Sequence, residues 1–186
     1  MILALLLSCA VPESKDGPAG AEEPVSGPVA TGPSLYAIDV PLVTHGGEDI
    51  RLDQFRGSPV IVSMFYTECP MACPLLVEAA QGALAEAGNP AVPVLFVSLD
   101  PANDTVEAMK KSHDSRGVGE QFTFAAPPAD RVREIAALLG IKYRPLPAGG
   151  FAHTSVLVLL DGEGRELARA EGNEGRGGLV AALRGG

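Results

Sequence analysis

Residues 58–88 read "SPVIVSMFYTECPMACPLLVEAAQGALAEAG" and contain the strongest fold signals in the chain. The nearly continuous apolar run at 58–66 includes β-branched residues, which predicts a strand buried on both faces. A helical pattern follows over 74–88 and ends at its terminal glycine. Cys69 and Cys73 lie between these two elements. They could form a disulfide, a redox-active pair, a metal site or two ordinary buried thiols.

Strand and helix patterns alternate along the rest of the chain. An N-terminal β-hairpin is predicted over 35–52, because two alternating runs flank His45-Gly46-Gly47 and paired glycines permit the positive φ of such turns. Further strands are predicted at 92–100, 122–126, 153–161 and 165–172, and further helices at 103–117, 129–140 and 177–186. This order predicts an α/β fold with a central mixed β-sheet flanked by helices.

Composition limits the classes of function. The chain has 186 residues and a net charge of −9 at pH 7, and this length suits one domain with additional sequence. The acidic balance argues against nucleic-acid binding, which requires a basic surface. The three cysteines are too few for a small domain held together by disulfides.

The N-terminal segment carries targeting signals. Residues 1–9, "MILALLLSC", resemble the signal segment and lipobox of bacterial lipoproteins, in which cleavage leaves a lipid-modified cysteine, here Cys9. The apolar run is far too short for a transmembrane helix. Residues 10–34 are rich in Pro, Gly, Ala, Ser and Glu, which predicts a disordered tether. We therefore expect residues 35–186 to form one domain of an exported lipoprotein, anchored to the extracytoplasmic side of a bacterial cell membrane. The alternative is a slightly apolar N-terminus with an incidental cysteine.

The cysteine pair lies where a buried strand ends and a helix begins, and ligands of open α/β sheets gather at this carboxyl edge. The first turn of a helix carries unpaired N–H groups and a partial positive charge. We expect this environment to lower the pKa of at least one of the two thiols. A four-residue offset in a helix places Cys69 and Cys73 on one face. The two sulfurs can then bind one metal ion or oxidise to a disulfide.

A specific metal site needs a third ligand, and the chain has three histidines. His45 in a glycine turn and His113 on a charged helix are expected at the solvated surface. His153 follows a Pro- and Gly-rich loop, 144–152, that can fold over the edge of the sheet at which the two cysteines lie. Two thiolates and one imidazole suit copper, since thiolate favours Cu(I) and imidazole also binds Cu(II). Zinc is the main competitor, although structural zinc sites prefer four ligands.

Three segments carry a resemblance to a known family: "FYTECPMACP" at 65–74, "VSLDPANDT" at 97–105 and "HTSVLVLLD" at 153–161. In this order they are similar to the motifs of the Sco/SenC proteins. These are thioredoxin-like, membrane-tethered copper proteins that help to build the binuclear copper centre of cytochrome c oxidase. The resemblance covers residues 35–184. It implies a thioredoxin-like fold and a metallochaperone that delivers copper to the copper-centre subunit of that oxidase.

The same resemblance implies Cys69, Cys73 and His153 as ligands of Cu(I) or Cu(II). Other periplasmic copper or thiol proteins are further expected partners. Asp100 ends a strand at the same edge, where it is either a site residue or a turn residue. Asp104 is expected to cap the following helix, as the start of a capping box, rather than to bind metal.

A membrane-tethered thiol–disulfide oxidoreductase is the main alternative, with Cys69 attacking and Cys73 resolving as a catalytic pair. Two features count against this enzyme: thioredoxin-type motifs are C-x-x-C, and His153 would have no role in it. Reduction of thiols at the oxidase copper site, beside copper delivery, is compatible with the same residues.

Two further interpretations are disfavoured by the local sequence. A peroxidase of the peroxiredoxin type resembles P-x-x-x-[TS]-x-x-C around its reactive cysteine. Here Thr67 lies two residues before Cys69 instead of three, and positions 62 and 63 hold no proline. A purely structural disulfide conflicts with Glu68 and Met71, which indicate an exposed loop.

Overall fold

The computed structural model describes residues 30–69, 72–172 and 175–185. The predicted lipobox with Cys9, and the predicted tether up to residue 29, lie outside these residues. Among the described residues, no helix has the length and apolar character needed to cross a bilayer.

Residues 30–34, which the composition assigns to the tether, contact the folded domain. Thr31 forms an isolated antiparallel bridge with Glu166. The Ser34 hydroxyl accepts a hydrogen bond from the Tyr36 N–H and so caps the 3-10 helix Leu35–Ala37. The folded domain therefore includes a few residues that composition alone places outside it.

Seven of the described strands form one sheet in the order β2-β1-β5-β4-β3-β8-β9, and β6 and β7 form a separate two-stranded sheet. The strands are β1 (Pro41–Thr44), β2 (Asp49–Arg51), β3 (Val60–Phe65), β4 (Val94–Ser98), β5 (Phe122–Ala126), β6 (Tyr143–Pro145), β7 (Phe151–His153), β8 (Val156–Leu160) and β9 (Glu166–Glu171). The helices are α1 (Ala72–Glu86), α2 (Val106–Ser115), α3 (Val132–Leu138) and α4 (Arg176–Gly185), with 3-10 helices at Leu35–Ala37, Leu52–Phe55 and Ala129–Arg131.

The three central strands account for the long apolar runs in the sequence. β3, β4 and β5 are parallel, with Met64 opposite Val97 and Val97 opposite Ala125. Every residue of β3 and β4 is buried. β8 joins β3 in antiparallel orientation, and β1 joins β5 in the same way. The predicted α/β class, with a central mixed sheet and an N-terminal β1–β2 hairpin, is therefore confirmed.

Hydrophobic cores cover both faces of the sheet. One core includes residues of α1, α2 and α4 and contains the contacting rings of Phe65, Phe96 and Phe124. The other core packs α3 and two of the 3-10 helices against the opposite face. Successive residues of β3 alternate between the two cores, as a strand buried on both faces requires. This packing holds the carboxyl end of β3 rigidly, and the cysteine loop starts there.

The largest local difference from the predicted secondary structure concerns the histidine loop. The sequence pattern places His153 at the start of a strand, but β8 begins at Val156 and His153 is the last residue of β7. Gly149 and Gly150 have φ angles of +91° and +74°, which only glycine adopts readily. They turn the chain so that β6 and β7 pair, with Tyr143 opposite His153. A hairpin outside the main sheet therefore carries the histidine.

Candidate metal centre

Cys69 and Cys73 lie together at the carboxyl edge of the sheet. Cys69 follows β3 after a short turn, in which its N–H donates to the Tyr66 carbonyl at 3.2 Å. Cys73 is the second residue of α1, and its N–H donates to the Cys69 Sγ at 3.4 Å. The two cysteines are only 7% and 1% exposed. The loop is exposed at Glu68, as expected, but the thiols themselves are buried.

Burial determines the protonation of Cys73. It raises the pKa of the Cys73 thiol well above the usual range, whereas a hydrogen bond with the Tyr66 backbone lowers this pKa by less. The expected lowering of the pKa of at least one thiol by the helix start therefore does not occur at Cys73. The first turn of α1 instead directs the Cys73 N–H at the Cys69 sulfur.

His153 carries a neutral imidazole. Its Nδ1 lies 3.2 Å from the Thr154 carbonyl oxygen, and donation of the Nδ1–H to this oxygen leaves the lone pair on Nε2. Burial lowers the pKa of His153, and the hydrogen bond with Thr154 opposes this lowering. Among the described residues, the buried Nε2 has no hydrogen-bond partner. Because a buried polar atom without a partner is costly, this nitrogen is well suited to a metal ion.

The three predicted ligands converge, although they come from distant parts of the chain. One ligand atom each from Cys69, Cys73 and His153 lies within 4.8 Å of the others. Metal–sulfur and metal–nitrogen bonds of about 2.0–2.3 Å separate the ligands of one ion by about 4 Å, so this spacing suits a shared ion. No other group of three such ligands meets within the described part of the chain. Two thiolates and one imidazole suit copper or zinc.

A family match extends over nearly all of the described chain. The model of the SCO1/SenC family matches residues 30–185. The chain belongs to the SCO1/SenC family. Proteins of this family bind copper and take part in cytochrome c oxidase assembly. The resemblance carried by the three sequence motifs is therefore confirmed.

Relatives in the SCO1/SenC family differ widely in sequence. The mitochondrial SCO2 homolog of Bos taurus is 38% identical over 77 residues, which are 39% of this chain and 29% of the bovine protein. The mitochondrial SCO1 homolog of Homo sapiens is 26% identical over 154 residues, 76% of this chain and 50% of the human protein. The chain thus spans half or less of the length of these relatives. The crystal structure of Arabidopsis thaliana ScoI with copper bound is similar at a TM-score of 0.67 and 18% identity, covering 77% of this chain and 92% of that chain. This similarity agrees with the predicted thioredoxin-like fold.

The two other histidines lie outside the ligand group and are less exposed than predicted. The rings of His45 and His113 stack, with centroids 4.1 Å apart and an interplanar angle of 16°. The His45 Nδ1 accepts a hydrogen bond from the Phe124 N–H at 3.3 Å, and the His113 Nε2 lies 3.1 Å from the Phe122 carbonyl oxygen. The prediction of two solvated histidines is therefore wrong. They join the β1–β2 turn and α2 to β5.

The aspartates of the segment at 97–105 have separate structural roles. The Asp100 carboxylate accepts a hydrogen bond from the Asn103 side chain at 2.8 Å, which favours its role in the turn. Asp104 is 2% exposed. Its carboxylate accepts hydrogen bonds from the N–H and hydroxyl of Thr67 at 2.8 and 2.6 Å, and from the Ser98 hydroxyl at 2.5 Å. Burial raises the pKa of Asp104, and these hydrogen bonds oppose that effect.

The predicted helix cap at Asp104 is wrong by one residue. The N-cap of α2 is Thr105, whose hydroxyl accepts a hydrogen bond from the Ala108 N–H at 3.2 Å. Sequence alone does not separate an adjacent Asp and Thr, because both residue types favour the N-cap position. Asp104 instead holds the beginning of the cysteine loop, since Thr67 lies two residues before Cys69.

Replacing Asp104 by alanine is expected to lower the free energy of unfolding by about 3 kcal/mol, because the donors of Thr67 and Ser98 lose a buried acceptor. Urea unfolding followed by circular dichroism measures the change. Asp100→Ala is the matched control and should cost less than about 1 kcal/mol, because the hydrogen bond of its carboxylate to Asn103 is exposed. Equal losses in the two variants would contradict the role assigned to Asp104.

Tyr66, which sequence reasoning does not single out, lies beside the ligand group. Its ring is 5.6 Å from that of Phe151 and 6.1 Å from that of His153, both edge-to-face. Its hydroxyl donates to the Phe151 carbonyl at 3.2 Å. Burial raises the pKa of Tyr66 and the Phe151 hydrogen bond lowers it. The charges of Cys69 and Cys73 and a side-chain hydrogen bond with Cys69 raise it further, so the phenol remains a neutral donor. From sequence alone, a tyrosine at the end of an apolar strand indicates only a buried ring whose hydroxyl forms a hydrogen bond with a polar group.

Proposed function

We propose that this protein is a metallochaperone that binds Cu(I) or Cu(II) through Cys69, Cys73 and His153. It delivers this copper to the copper-centre subunit of cytochrome c oxidase. The observation that carries the proposal is the convergence, within 4.8 Å, of two thiol sulfurs and one nitrogen of the His153 imidazole, whose buried Nε2 has no hydrogen-bond partner among the described residues. Membership of the SCO1/SenC family supports copper as the metal and the oxidase as the destination.

The protein's own groups determine how copper is taken up as cargo. Both thiols must be reduced and must lose their protons when copper binds. Burial raises the pKa of Cys73 and favours its thiol form in the metal-free protein, so the binding of copper displaces this proton. His153 needs no such step, because its imidazole is already neutral with the lone pair on Nε2. Uptake of copper therefore couples to proton release at the cysteine pair.

The release of copper to an acceptor depends on the number of protein ligands that hold it. Structural zinc sites use four protein ligands in a closed tetrahedron, whereas three-ligand sites keep a position open. The three residues here leave room for a ligand of the acceptor to approach before a thiolate leaves. Copper can then pass by ligand exchange without becoming a free ion. The same count favours copper cargo over structural zinc.

The proposal includes a location. We place the protein on the extracytoplasmic side of a bacterial cell membrane, held there as a lipoprotein by a lipid on Cys9. The lipobox-like residues 1–9 and the Pro- and Gly-rich residues 10–29 support this placement, and both segments lie outside the residues that the structure describes. In that compartment, other periplasmic copper or thiol proteins are further partners.

A thiol–disulfide oxidoreductase acting on the oxidase copper site is the second candidate, and the Cys73 N–H on the Cys69 Sγ favours it. The Cys69 thiolate would attack the partner's disulfide and form a mixed disulfide. The Cys73 thiolate would then displace the partner, leaving a Cys69–Cys73 disulfide and a reduced partner dithiol. The cysteines have C-x-x-x-C spacing and the His153 imidazole, which has no role in thiol exchange, converges on them, so copper delivery is the better-supported function.

A transfer assay tests the delivery function. The reduced protein is loaded with one equivalent of Cu(I) and mixed with the metal-free soluble copper domain of the oxidase subunit, its cysteines reduced. We expect most of the copper on the acceptor after separation, at a rate that a Cu(I) chelator in solution does not reduce. Copper that stays on the donor, or transfer that the chelator abolishes, would contradict delivery by ligand exchange.

The same acceptor distinguishes the second candidate. When its copper-site cysteines are oxidised, the copper-free reduced protein is added and the thiols of the acceptor are counted. Rapid appearance of two acceptor thiols, with failure of copper transfer, would make thiol reduction the main function. A Cys73→Ala variant serves as the control, because it can form the mixed disulfide but cannot resolve it.

A further inference from the structure

The hairpin that carries His153 is hydrogen-bonded mainly to itself. β6 and β7 form a sheet separate from the seven-stranded one. In the described part of the chain, the backbone–backbone hydrogen bonds of residues 143–153 stay within the hairpin and its base, as between the Leu146 N–H and the Gly150 carbonyl. Backbone pairing with the main sheet therefore does not hold the hairpin beside the cysteines. The short link from His153 to β8 and side-chain contacts must do so.

The side chain of Tyr66 makes such contacts. Its hydroxyl donates to the backbone carbonyl of Phe151 in β7, and its ring packs edge-to-face on the rings of Phe151 and His153. The turn of the hairpin lies directly against the phenol. A Cβ atom added at Gly150 would come within 3.0 Å of the Tyr66 hydroxyl oxygen and 3.2 Å of its Cε2. The glycine thus permits the hairpin to approach this close.

The backbone of Tyr66 contacts the other half of the site. Its carbonyl accepts a hydrogen bond from the Cys69 N–H at 3.2 Å. β3 is buried throughout up to the residue before Tyr66, so this backbone is firmly held. One residue therefore joins the rigid cysteine side of the site to the hairpin side.

We propose that Tyr66 is a positioning residue whose hydroxyl latches the β6–β7 hairpin and keeps the His153 imidazole within binding distance of the cysteine pair. The inference rests on the proposed function for the identity of the metal. The contacts between Tyr66 and the hairpin, however, are present without any metal. Two thiolates suffice for Cu(I), whereas Cu(II) depends on the imidazole. Loss of the latch therefore weakens Cu(II) binding selectively.

The first test needs no metal. Amide hydrogen exchange is measured on metal-free Tyr66→Phe, which keeps the ring and removes the hydroxyl. We expect exchange in peptides covering residues 143–153 to be about fivefold faster, the effect of one lost hydrogen bond. Tyr36→Phe is the matched control, because among the described residues the buried Tyr36 hydroxyl has no hydrogen-bond partner. Equal exchange rates of residues 143–153 in the two variants would overturn the latch, whatever the copper affinities of these variants are.

The second test uses copper. Tyr66→Phe should weaken Cu(II) binding about fivefold more than Cu(I) binding, because the hydroxyl also contacts Cys69 and an effect through that sulfur is shared by both oxidation states. In a His153→Ala background the same substitution should no longer weaken Cu(II) binding more than Cu(I) binding, because the latch acts through that imidazole. A normal Cu(II) affinity in Tyr66→Phe, beside a weakened His153→Ala, overturns the positioning role alone. An unchanged Cu(II) affinity in His153→Ala overturns the proposed metal site instead, while hydrogen exchange still decides the latch.

Two glycine variants control for a general loss of stability as the cause of these effects. Gly150→Ala places a methyl group against the Tyr66 phenol, whereas Gly149→Ala has a similar positive φ but no atom within 4 Å of its added Cβ. Both variants carry comparable backbone strain. We expect faster exchange of the hairpin and weaker Cu(II) binding in Gly150→Ala than in Gly149→Ala. Identical behaviour of the two overturns the latch.

Discussion

Replacing His153 by alanine is expected to weaken Cu(II) binding by more than about 100-fold, with a much smaller effect on Cu(I). A four-ligand zinc site in a small domain is worth about 10–16 kcal/mol, so one ligand contributes about 3 kcal/mol, which corresponds to roughly 100-fold in affinity. The imidazole nitrogen is buried and has no partner among the described residues, so no protein group competes with the metal for it. Cu(I) keeps both thiolates and needs the imidazole less.

Competition titrations with chelators of known affinity measure both oxidation states, and the visible spectrum of the Cu(II) form reports the change of ligand. His113→Ala is the matched control, since its half-buried imidazole packs against His45 and lies outside the ligand group. That variant should bind both forms of copper as the parent does. If His153→Ala and His113→Ala had the same Cu(II) affinity and spectrum, the assigned site would be wrong.

Replacing Cys73 by serine or by alanine should weaken binding of both Cu(I) and Cu(II) by more than about 100-fold. The thiolate is the soft ligand on which both oxidation states depend, and neither a hydroxyl nor a methyl group replaces it. The two variants differ in stability, because serine buries a hydroxyl at a position that is only 1% exposed. They should nevertheless lose copper to the same extent.

Thermal unfolding of the metal-free variants, beside the copper titrations, separates the two effects. If Cys73→Ala kept its copper affinity while the less stable Cys73→Ser lost it, copper affinity would depend on stability. Cys73 would then have a packing role instead of a ligand role. Proton release gives an independent measure for the parent protein. Because burial holds Cys73 in the thiol form, Cu(I) uptake at neutral pH should release its proton into a weakly buffered solution, and Cys73→Ala should release fewer protons.

Local patterns predicted most of the secondary structure. The strand predicted at 122–126 has the same bounds as β5, and the helix predicted at 74–88 corresponds to α1, Ala72–Glu86. These elements are specified by apolar periodicity and by glycine at their ends, which are properties of short segments. The hairpin of β6 and β7 was not predicted. Proline and glycine indicate a turn, but whether the flanking residues pair depends on what they pack against.

The candidate ligands were predictable for a different reason. Cys69 and Cys73 are only four residues apart, so they remain neighbours although Cys69 lies in the turn before α1, and His153 is the one histidine whose position suggests the edge of the sheet. The supporting residues were not predictable. Asp104 lies beside a better helix cap, and its contacts to Thr67 exist only because β3 and β4 are adjacent in the sheet.

The sequence by itself determined the α/β class, the strand–loop–helix unit around the cysteines and the types of side chain available to a metal. Each of these depends on residues that are close together in the chain. Only the tertiary structure decided that the imidazole lies within 4.8 Å of both sulfurs, that Tyr66 joins the two halves of the site, and that the pKa of Cys73 is raised. Distances between remote segments and the loss of water around a buried group arise from packing, which no local pattern encodes.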